Sequence, residues 1–174
     1  MSDGWIWFQL GLATLVALTF GVIFEGAPYV PTKRREIQDA LKLAKLKKGQ
    51  TIVDLGSGDG RFLAAAADKG YRAVGYELSP ILSLISRLRL RKYGDKILVR
   101  NANFWHQELP EDTSAVFVFL AGPFMKRLAG HLEKEAARLD KPITLISYGF
   151  DLPGHLPDAQ DGAVKRFIVK PPRA

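Results

Sequence analysis

The chain has 174 residues, enough for one domain of ordinary size and an appendage. It contains no cysteine, which excludes disulfides, cysteine-based zinc sites and thiol catalysis, and its three histidines show no metal-ligand spacing, so no metal site is predicted. The formal net charge is +7, and the positive excess is concentrated in short stretches.

The first predicted element is an apolar segment from Trp5 to Phe24, twenty residues without a charged side chain. A helix of that length spans roughly 30 Å, the thickness of a bilayer core. A cleavable signal peptide would need Lys or Arg before the apolar run, and the preceding residues have neither. A buried core helix is the other alternative. We expect residues 1–25 to form a single transmembrane anchor.

Basic residues follow this segment and predict its orientation. Lys33, Arg34 and Arg35 come first and four lysines follow between positions 42 and 48, whereas Asp3 is the charged side chain before the segment. Positive residues stay on the cytoplasmic side, so the amino terminus is predicted outside and the domain in the cytoplasm, at the inner membrane if the source is bacterial. The same cluster suits anionic lipid headgroups. Nucleic-acid binding is the alternative use, which the adjacent apolar segment disfavours.

Residues 26–50 are predicted to form a linker, stiffened by Pro28 and Pro31, and a helix that covers the sheet. This helix runs from Glu36 to Lys48. Its apolar residues recur at helical spacing and are expected to be buried; they are Ile37, Ala40, Leu41 and Ala44.

The most informative stretch begins with a buried strand at residues 51–53 and continues into a glycine-rich turn, DLGSGDG, at residues 54–60. A helix from Arg61 to Lys69 and a second strand from Ala73 to Tyr76 follow, and that strand ends at Glu77. In such a β-α-β unit the glycines let backbone N–H groups approach a ligand. The acid after the second strand can accept hydrogen bonds from both hydroxyls of a ribose.

The spacing of the glycines discriminates between nucleotides. A dinucleotide loop, G-x-G-x-x-G, would need glycine at position 61, where this chain has Arg61. Asp54 and Asp59 place two carboxylates beside the loop, which disfavours a pyrophosphate and suits a ligand with a cationic amino group and no phosphate. S-adenosylmethionine (SAM) is such a ligand. The alternative, a tight turn in some other α/β domain, leaves Asp54, Asp59 and Glu77 unexplained.

A helix is predicted from Leu78 to about Tyr93, with its apolar residues buried and its basic residues in solvent. The residues expected to face inward are Ile81, Leu84, Ile85 and Leu88. The basic residues are Arg87, Arg89, Arg91 and Lys92, for which an acidic partner is the alternative reading.

The remaining pattern predicts strands at 97–100, 115–120, 143–148 and 163–170, and a helix at 125–139. The strand at 115–120 is expected beside the first strand. Only about a dozen residues separate the last two strands, too few for a helical crossover, so the last strand is predicted to be antiparallel. One strand–helix unit of a seven-strand pattern is expected to be missing.

The loop VDLGSGDGR resembles motif I of the class I, seven-strand SAM-dependent methyltransferases. Together with the apolar segment, PYVPT, GYELSP, NFW and VFLAGP, it resembles the small membrane-anchored protein-lysine methyltransferases of the ADP/ATP carrier and ATP synthase c-subunit type, from Trp5 to about Leu128. The resemblance implies a Rossmann-like α/β sheet, mostly parallel with an antiparallel last strand, in residues 51–174. It also implies SAM as cofactor and one transmembrane helix before the domain.

The resemblance further implies which residues bind the cofactor. Asn103 would accept a hydrogen bond from the adenine amino group, where many relatives have Asp, and Phe104 would pack on the ring. Tyr29 and Thr32 lie in the segment that closes over the methionine end of SAM. The full set of candidates is Asp54, Gly56, Ser57, Gly58, Asp59, Gly60, Glu77, Asn103, Phe104, Tyr29 and Thr32.

The methyl acceptor is expected where residues 121–124, AGPF, follow the strand at 115–120, because ligands bind at the topological switch point of open α/β sheets. The sequence is not the N/D-P-P-Y/F signature, which argues against DNA adenine methylation. An apolar channel would lower the pKa of a lysine amine. Phe124, Trp105 and Tyr148 are candidate walls of that channel, with core packing as the alternative for each. No catalytic base is assigned.

Three functions remain open on the sequence. The first is a membrane-anchored protein-lysine N-methyltransferase acting on a membrane-associated protein. The second is a methyltransferase for a lipid or lipophilic small molecule. The third is a non-enzymatic membrane module that binds anionic lipid or nucleic acid through the basic face at residues 33–48, and the carboxylates around the glycine loop count against it.

Overall fold

The computed structural model describes residues 4–11 and 31–172 of the chain. Residues 4–11 are helical, and their large apolar side chains, including Trp5, Trp7 and Phe8, are exposed. In these two described ranges no helix is long and apolar enough to cross a membrane. Residues 1–3 and 12–25 of the predicted anchor and the candidate Tyr29 lie outside the described residues.

Residues 31–172 form a seven-stranded sheet flanked by α-helices. The strands are β1 (Thr51–Leu55), β2 (Arg72–Glu77), β3 (Ile97–Asn101), β4 (Thr113–Val118), β5 (Ile143–Tyr148), β6 (Ala159–Asp161) and β7 (Val164–Val169). The helices, numbered from the start of this range, are α1 (Arg34–Ala44), α2 (Arg61–Asp68), α3 (Pro80–Leu90) and α4 (Gly122–Arg138), with short 3-10 turns at Arg91–Lys96 and Phe104–His106.

The strand order is β3-β2-β1-β4-β5-β7-β6. The first five strands in this order are parallel, and β7 runs antiparallel between β5 and β6. The predicted position of β4 beside β1 and the predicted antiparallel last strand are therefore confirmed. The chain reverses its direction across the sheet between β1 and β4, so the carboxyl ends of these two strands flank the switch point.

The prediction of a missing strand–helix unit is correct for the helix and wrong for the strand. Residues 149–158, between β5 and β6, form turns and irregular structure. The strand β6 is present, but it has only three residues and pairs with β7 alone. Its sequence, Ala-Gln-Asp, has no apolar alternation, so hydrophobic periodicity could not reveal it.

Apolar layers cover both faces of the sheet. On one face α1 buries the four residues predicted for it, and Phe62 of α2 stacks on Phe117 of β4 with ring centroids 4.0 Å apart. On the other face α4 buries Met125, Leu128 and Leu132. Because β1 to β5 are parallel, their carboxyl ends lie along one edge of the sheet, between these two layers.

The predicted orientation of α3 is wrong. Ile81, Leu84, Ile85 and Leu88 are 45% to 59% exposed, and the helix instead buries Ser83, Ser86 and Leu90. A Cβ atom at Gly60 would lie 2.4 Å from Ser86 Oγ and 2.5 Å from Leu90 Cδ1. The helix therefore approaches the glycine loop through its side with the smaller residues, and its most apolar side faces outward.

Candidate functional site

The glycine loop lies at the carboxyl ends of β1 and β2. The backbone N–H groups of Gly56 and Ser57 both donate to the Tyr76 carbonyl, at 2.9 and 3.0 Å, and fix the start of the loop against β2. Gly56, Gly58 and Gly60 have φ angles of 101°, 54° and 80°. Only glycine adopts such angles without strain, so the glycine spacing has a structural cause.

The Glu77 carboxylate is buried and held by the backbone on both oxygens. Oε2 accepts a hydrogen bond from Gly58 N at 2.7 Å, and Oε1 accepts one from Ser79 N at 2.8 Å. These contacts fix the acid directly beside the glycine loop. Each carboxylate oxygen can accept more than one hydrogen bond, so both can also receive the hydroxyls of a ligand.

Asp54, the last polar residue of β1, is also buried. Burial raises the pKa of its carboxyl well above the ordinary value, and the nearby negative charges of Glu77 and Asp59 raise it further. This part of the site therefore has an excess of negative potential. It favours a ligand that carries a positive charge.

Asp59 differs from the other two acids because arginines bind it. Arg61 contacts it through Nε at 3.0 Å and Nη2 at 2.9 Å, and Arg89 of α3 forms a second ion pair. Burial raises the pKa of Asp59, but the Arg61 hydrogen bonds and the charges of both arginines outweigh burial, and the pKa is below its ordinary value. Arg61 also reaches the Thr32 carbonyl, at 3.5 Å, which places the candidate Thr32 next to the loop.

The sequence pattern does not reveal Arg61 and Arg89 as partners of the loop. In the sequence Arg61 is notable only as the residue that breaks a dinucleotide pattern, and Arg89 only as part of a basic helix face. The charge of Asp59 is largely balanced by these arginines. Asp54, whose raised pKa favours the neutral carboxyl, would be ionised most readily beside a cationic ligand.

The end of β3 brings an amide and an aromatic ring to the same edge. Asn101 Nδ2 donates to the Glu77 carbonyl at 2.8 Å and ties the two strand ends together. Asn103 accepts a hydrogen bond from Trp105 N at 3.1 Å and so caps the following 3-10 turn. Phe104 lies against Trp105, with ring centroids 4.4 Å apart. The candidates Asn103 and Phe104 are both partly exposed there.

The proposed acceptor-channel residues are not all alike. Phe124 and Tyr148 are partly exposed at the ends of α4 and β5. Trp105 is only 8% exposed and belongs to the core, where the Arg127 guanidinium lies 4.2 Å from its ring centroid. Phe124 and Tyr148 are therefore better placed to contact an acceptor than Trp105.

Two further aromatic residues lie at this edge and were not predicted from the sequence. Phe119 follows β4 and meets Tyr148 edge-on, with ring centroids 4.6 Å apart. The Phe150 ring lies 3.4 Å from the position of a Cβ atom at Gly122. Their position at or just after the ends of buried strands could have indicated this placement, since the carboxyl ends of parallel strands meet at one edge.

Within the described ranges, no group of three or more His, Asp or Glu could hold a metal ion.

Comparison with known proteins gives the same family as the glycine loop. The family model described as the ANTKMT methyltransferase domain matches residues 54–159. The human lysine N-methyltransferase of the ATP synthase c-subunit is 36% identical over 139 residues, which cover 78% of this chain and 57% of that protein. A protein-lysine N-methyltransferase of Saccharolobus islandicus is 31% identical over 136 residues, which cover 75% of this chain and 81% of that protein.

A solved structure supports the fold independently. The RNA methyltransferase from Salinibacter ruber, in complex with S-adenosyl-L-homocysteine, aligns with a TM-score of 0.72 over 83% of this chain and 97% of that one. Its sequence is 24% identical, so the likeness shows the shared sheet and helices. The chain spans little more than half the length of the human relative.

Proposed function

Since the chain belongs to the ANTKMT methyltransferase domain family, we propose that it is a SAM-dependent protein-lysine N-methyltransferase acting on a membrane-associated protein. One observation carries the proposal: the Glu77 carboxylate is fixed by Gly58 N–H and Ser79 N–H beside the buried Asp54. This pairs a hydroxyl acceptor with a buried carboxyl, whose ionised form a cationic ligand would stabilise, at the carboxyl edge of the sheet.

The donors and acceptors at this edge suit SAM. Glu77 would accept the ribose hydroxyls, and Asp54 would attract the cationic amino group. The cations nearest the loop, Arg61 and Arg89, are bound to Asp59. A ligand with phosphates would compete with Asp59 for them, whereas SAM has no phosphate and leaves these ion pairs intact.

The partly exposed residues after β3 would hold the adenine. The Asn103 amide can accept a hydrogen bond from the adenine amino group, and the Phe104 ring offers an apolar surface for the base. Thr32, next to the loop through its carbonyl contact with Arg61, lies on the side where the segment before α1 would cover the ligand.

SAM supplies, when bound, an electrophilic methyl group on a sulfonium. The residues of this chain have to orient a lysine amine and favour its neutral form. A lysine of pKa about 10.4 is neutral only about one time in a thousand near pH 7.4, which corresponds to about 4 kcal/mol. Phe119, Phe124 and Tyr148 would lower the pKa of that amine by excluding water from the acceptor position. The reaction does not demand a side-chain base, because an amine can lose its proton to water before transfer.

Anchoring to a membrane is part of the proposal and rests on the sequence. Residues 5–24 carry no charge, and basic residues follow between positions 33 and 48. The aromatic side chains of Trp5 and Trp7 are exposed on the helix at residues 4–11. We propose a single span with the amino terminus outside and the catalytic domain in the cytoplasm. Such an anchor would restrict the acceptor to proteins in or at the same membrane.

The proposal is tested by methyl transfer to membranes of a strain that lacks the gene. Purified full-length protein and SAM with a labelled methyl group are added, and label is followed in protein and in the organic extract. The expected result is label in one or a few proteins, recovered as methyl-lysine after hydrolysis. Glu77→Ala should abolish it, and the exposed control Glu111→Ala should not. Label in the extract alone would show a lipid acceptor instead, and no label in either fraction would contradict methyl transfer.

A further inference from the structure

The outward side of α3 forms a continuous apolar stripe, defined by Ile81, Leu84, Ile85 and Leu88. These residues recur at positions i, i+3, i+4 and i+7, so they share one side of the helix. All four side chains are about half exposed. The stripe lies on the opposite side from the residues that α3 buries against the sheet and the glycine loop.

Basic residues flank the stripe on both sides. At about 100° per residue, Arg87 projects beside one margin of the stripe and Arg89 beside the other. Arg91 and Lys92 continue the positive charge past the end of the helix, and all four are exposed. No acidic residue occurs between Pro80 and Lys92. The stripe with these four cations is called the α3 surface below.

Contacts within the domain hold the guanidinium groups of the two arginines that flank the stripe. Arg87 Nε donates to the Val99 carbonyl at 3.1 Å, and Arg89 pairs with Asp59. Their side chains therefore border the stripe in a defined way instead of folding over it. An apolar strip with a cationic border is the pattern of helices that lie in the interface plane of a membrane.

We propose that the α3 surface docks on the surface of an anionic lipid bilayer, with the stripe among the upper acyl chains and the cations at the headgroups. A bilayer offers both complements at once, an apolar layer beneath a negatively charged one. The uncharged residues 5–24 of this chain could cover the stripe but offer no anion to the other three cations, Arg87, Arg91 and Lys92. A second copy of the α3 surface would bring like charges together. The positive charge of the α3 surface therefore favours an anionic lipid bilayer over residues 5–24 and over a second copy of the chain.

This docking is independent of the proposed reaction, because an inactive protein would dock equally well. It also adds a second membrane contact on the folded domain, separate from the apolar segment at residues 5–24.

The chain has no cysteine, so a single introduced cysteine is a unique site for a spin label and the full-length protein can be used.

The test is the depth of a nitroxide at Leu84→Cys in full-length protein reconstituted into phosphatidylcholine vesicles that contain phosphatidylglycerol. Collision rates with oxygen, which partitions into lipid, and with a water-soluble nickel chelate together give the depth. We expect high oxygen and low nickel accessibility, with the label roughly 5–10 Å below the headgroups. The control Lys134→Cys is exposed on α4, which packs on the opposite face of the sheet, and should stay accessible to nickel.

Three outcomes would overturn the proposal. High nickel accessibility at position 84 would show that the stripe stays in water. Low accessibility to both reagents would show that protein covers the stripe, as residues 5–24 would do. Dipolar broadening between labels would show a second copy. Leu88→Cys provides an independent second reporter, and pure phosphatidylcholine vesicles should give a shallower depth at both positions because the cations lose their complement.

Discussion

Asp59 of the glycine loop and Arg89 of α3 form an ion pair that connects two segments thirty residues apart in the chain. Arg61 binds the same carboxylate at 2.9 Å. The pair holds α3 against the loop and balances the charge of Asp59. The same ion pair therefore affects both the packing of α3 and the electrostatic potential of the cofactor site.

Removing Arg89 should destabilise the protein less than removing Asp59. The Arg89 side chain is 53% exposed, so Arg89→Gln is expected to cost less than about 1 kcal/mol of unfolding free energy. Asp59→Asn removes the carboxylate that both ion pairs share and should cost more. Urea denaturation of both variants measures the order, and a larger loss for Arg89→Gln would contradict the described geometry.

Gly60→Ala should be strongly destabilising. Position 60 has a φ of 80°, and a Cβ atom there would lie 2.4 Å from Ser86 and 2.5 Å from Leu90. Backbone strain and overpacking together predict a loss of about 2–4 kcal/mol. The matched control is Gly130→Ala inside α4, where a Cβ atom has open space; it should gain up to about 1 kcal/mol. Equal effects of the two substitutions in urea denaturation would refute this account of α3 packing.

Asp54→Asn should stabilise the ligand-free protein while weakening SAM binding. Burial and the neighbouring acids raise the native pKa of Asp54 above its unfolded value. At a pH between the unfolded-state pKa and the native-state pKa of Asp54, the native state binds more protons than the unfolded state. The free energy of unfolding therefore falls as pH rises through this range. Asparagine does not ionise, so the Asp54→Asn variant does not lose stability in this way.

The measurement is thermal unfolding without ligand from pH 5 to pH 8. The advantage of Asp54→Asn in Tm should grow with pH and reach a few degrees. Calorimetry with SAM should show weaker binding, because the carboxylate opposite the amino group is gone. A variant that is less stable than wild type across this range would show that Asp54 has a structural role instead.

Tyr148→Leu should impair use of the acceptor without affecting the cofactor. Tyr148 packs edge-on with Phe119 at the carboxyl edge of β4 and β5, away from Glu77. Loss of this aromatic wall should lower kcat/KM for the protein acceptor by about tenfold, an effect of about 1.4 kcal/mol. SAM affinity should be unchanged. Tyr93→Leu, within the Arg91–Lys96 turn, is the control and should leave both constants unaltered.

The sequence predicted the glycine loop and its flanking elements well because their signals are local. The run from Thr51 to Glu77 combines an apolar strand, a fixed glycine spacing and an acid at a strand end. The family resemblance and the order of β1 and β4 followed from the same kind of signal.

Features that depend on contacts between distant segments were missed. The side of α3 that faces inward is set by its close approach to Gly60, which periodicity does not encode. The strand β6 exists through pairing with β7, and the ion pair of Asp59 with Arg89 exists through the docking of α3 on the loop. In each case the local pattern was compatible with more than one arrangement.

The most direct test of the central claim is calorimetric titration of the full-length protein in detergent with SAM and with S-adenosylhomocysteine, beside Glu77→Ala and the control Glu111→Ala. Wild type and the control should bind with micromolar affinity. Glu77→Ala should bind at least about 100-fold more weakly, since two hydrogen bonds to a charged group are lost. If folded wild-type protein binds neither ligand, or if Glu77→Ala binds as tightly as wild type, the proposed cofactor site is wrong.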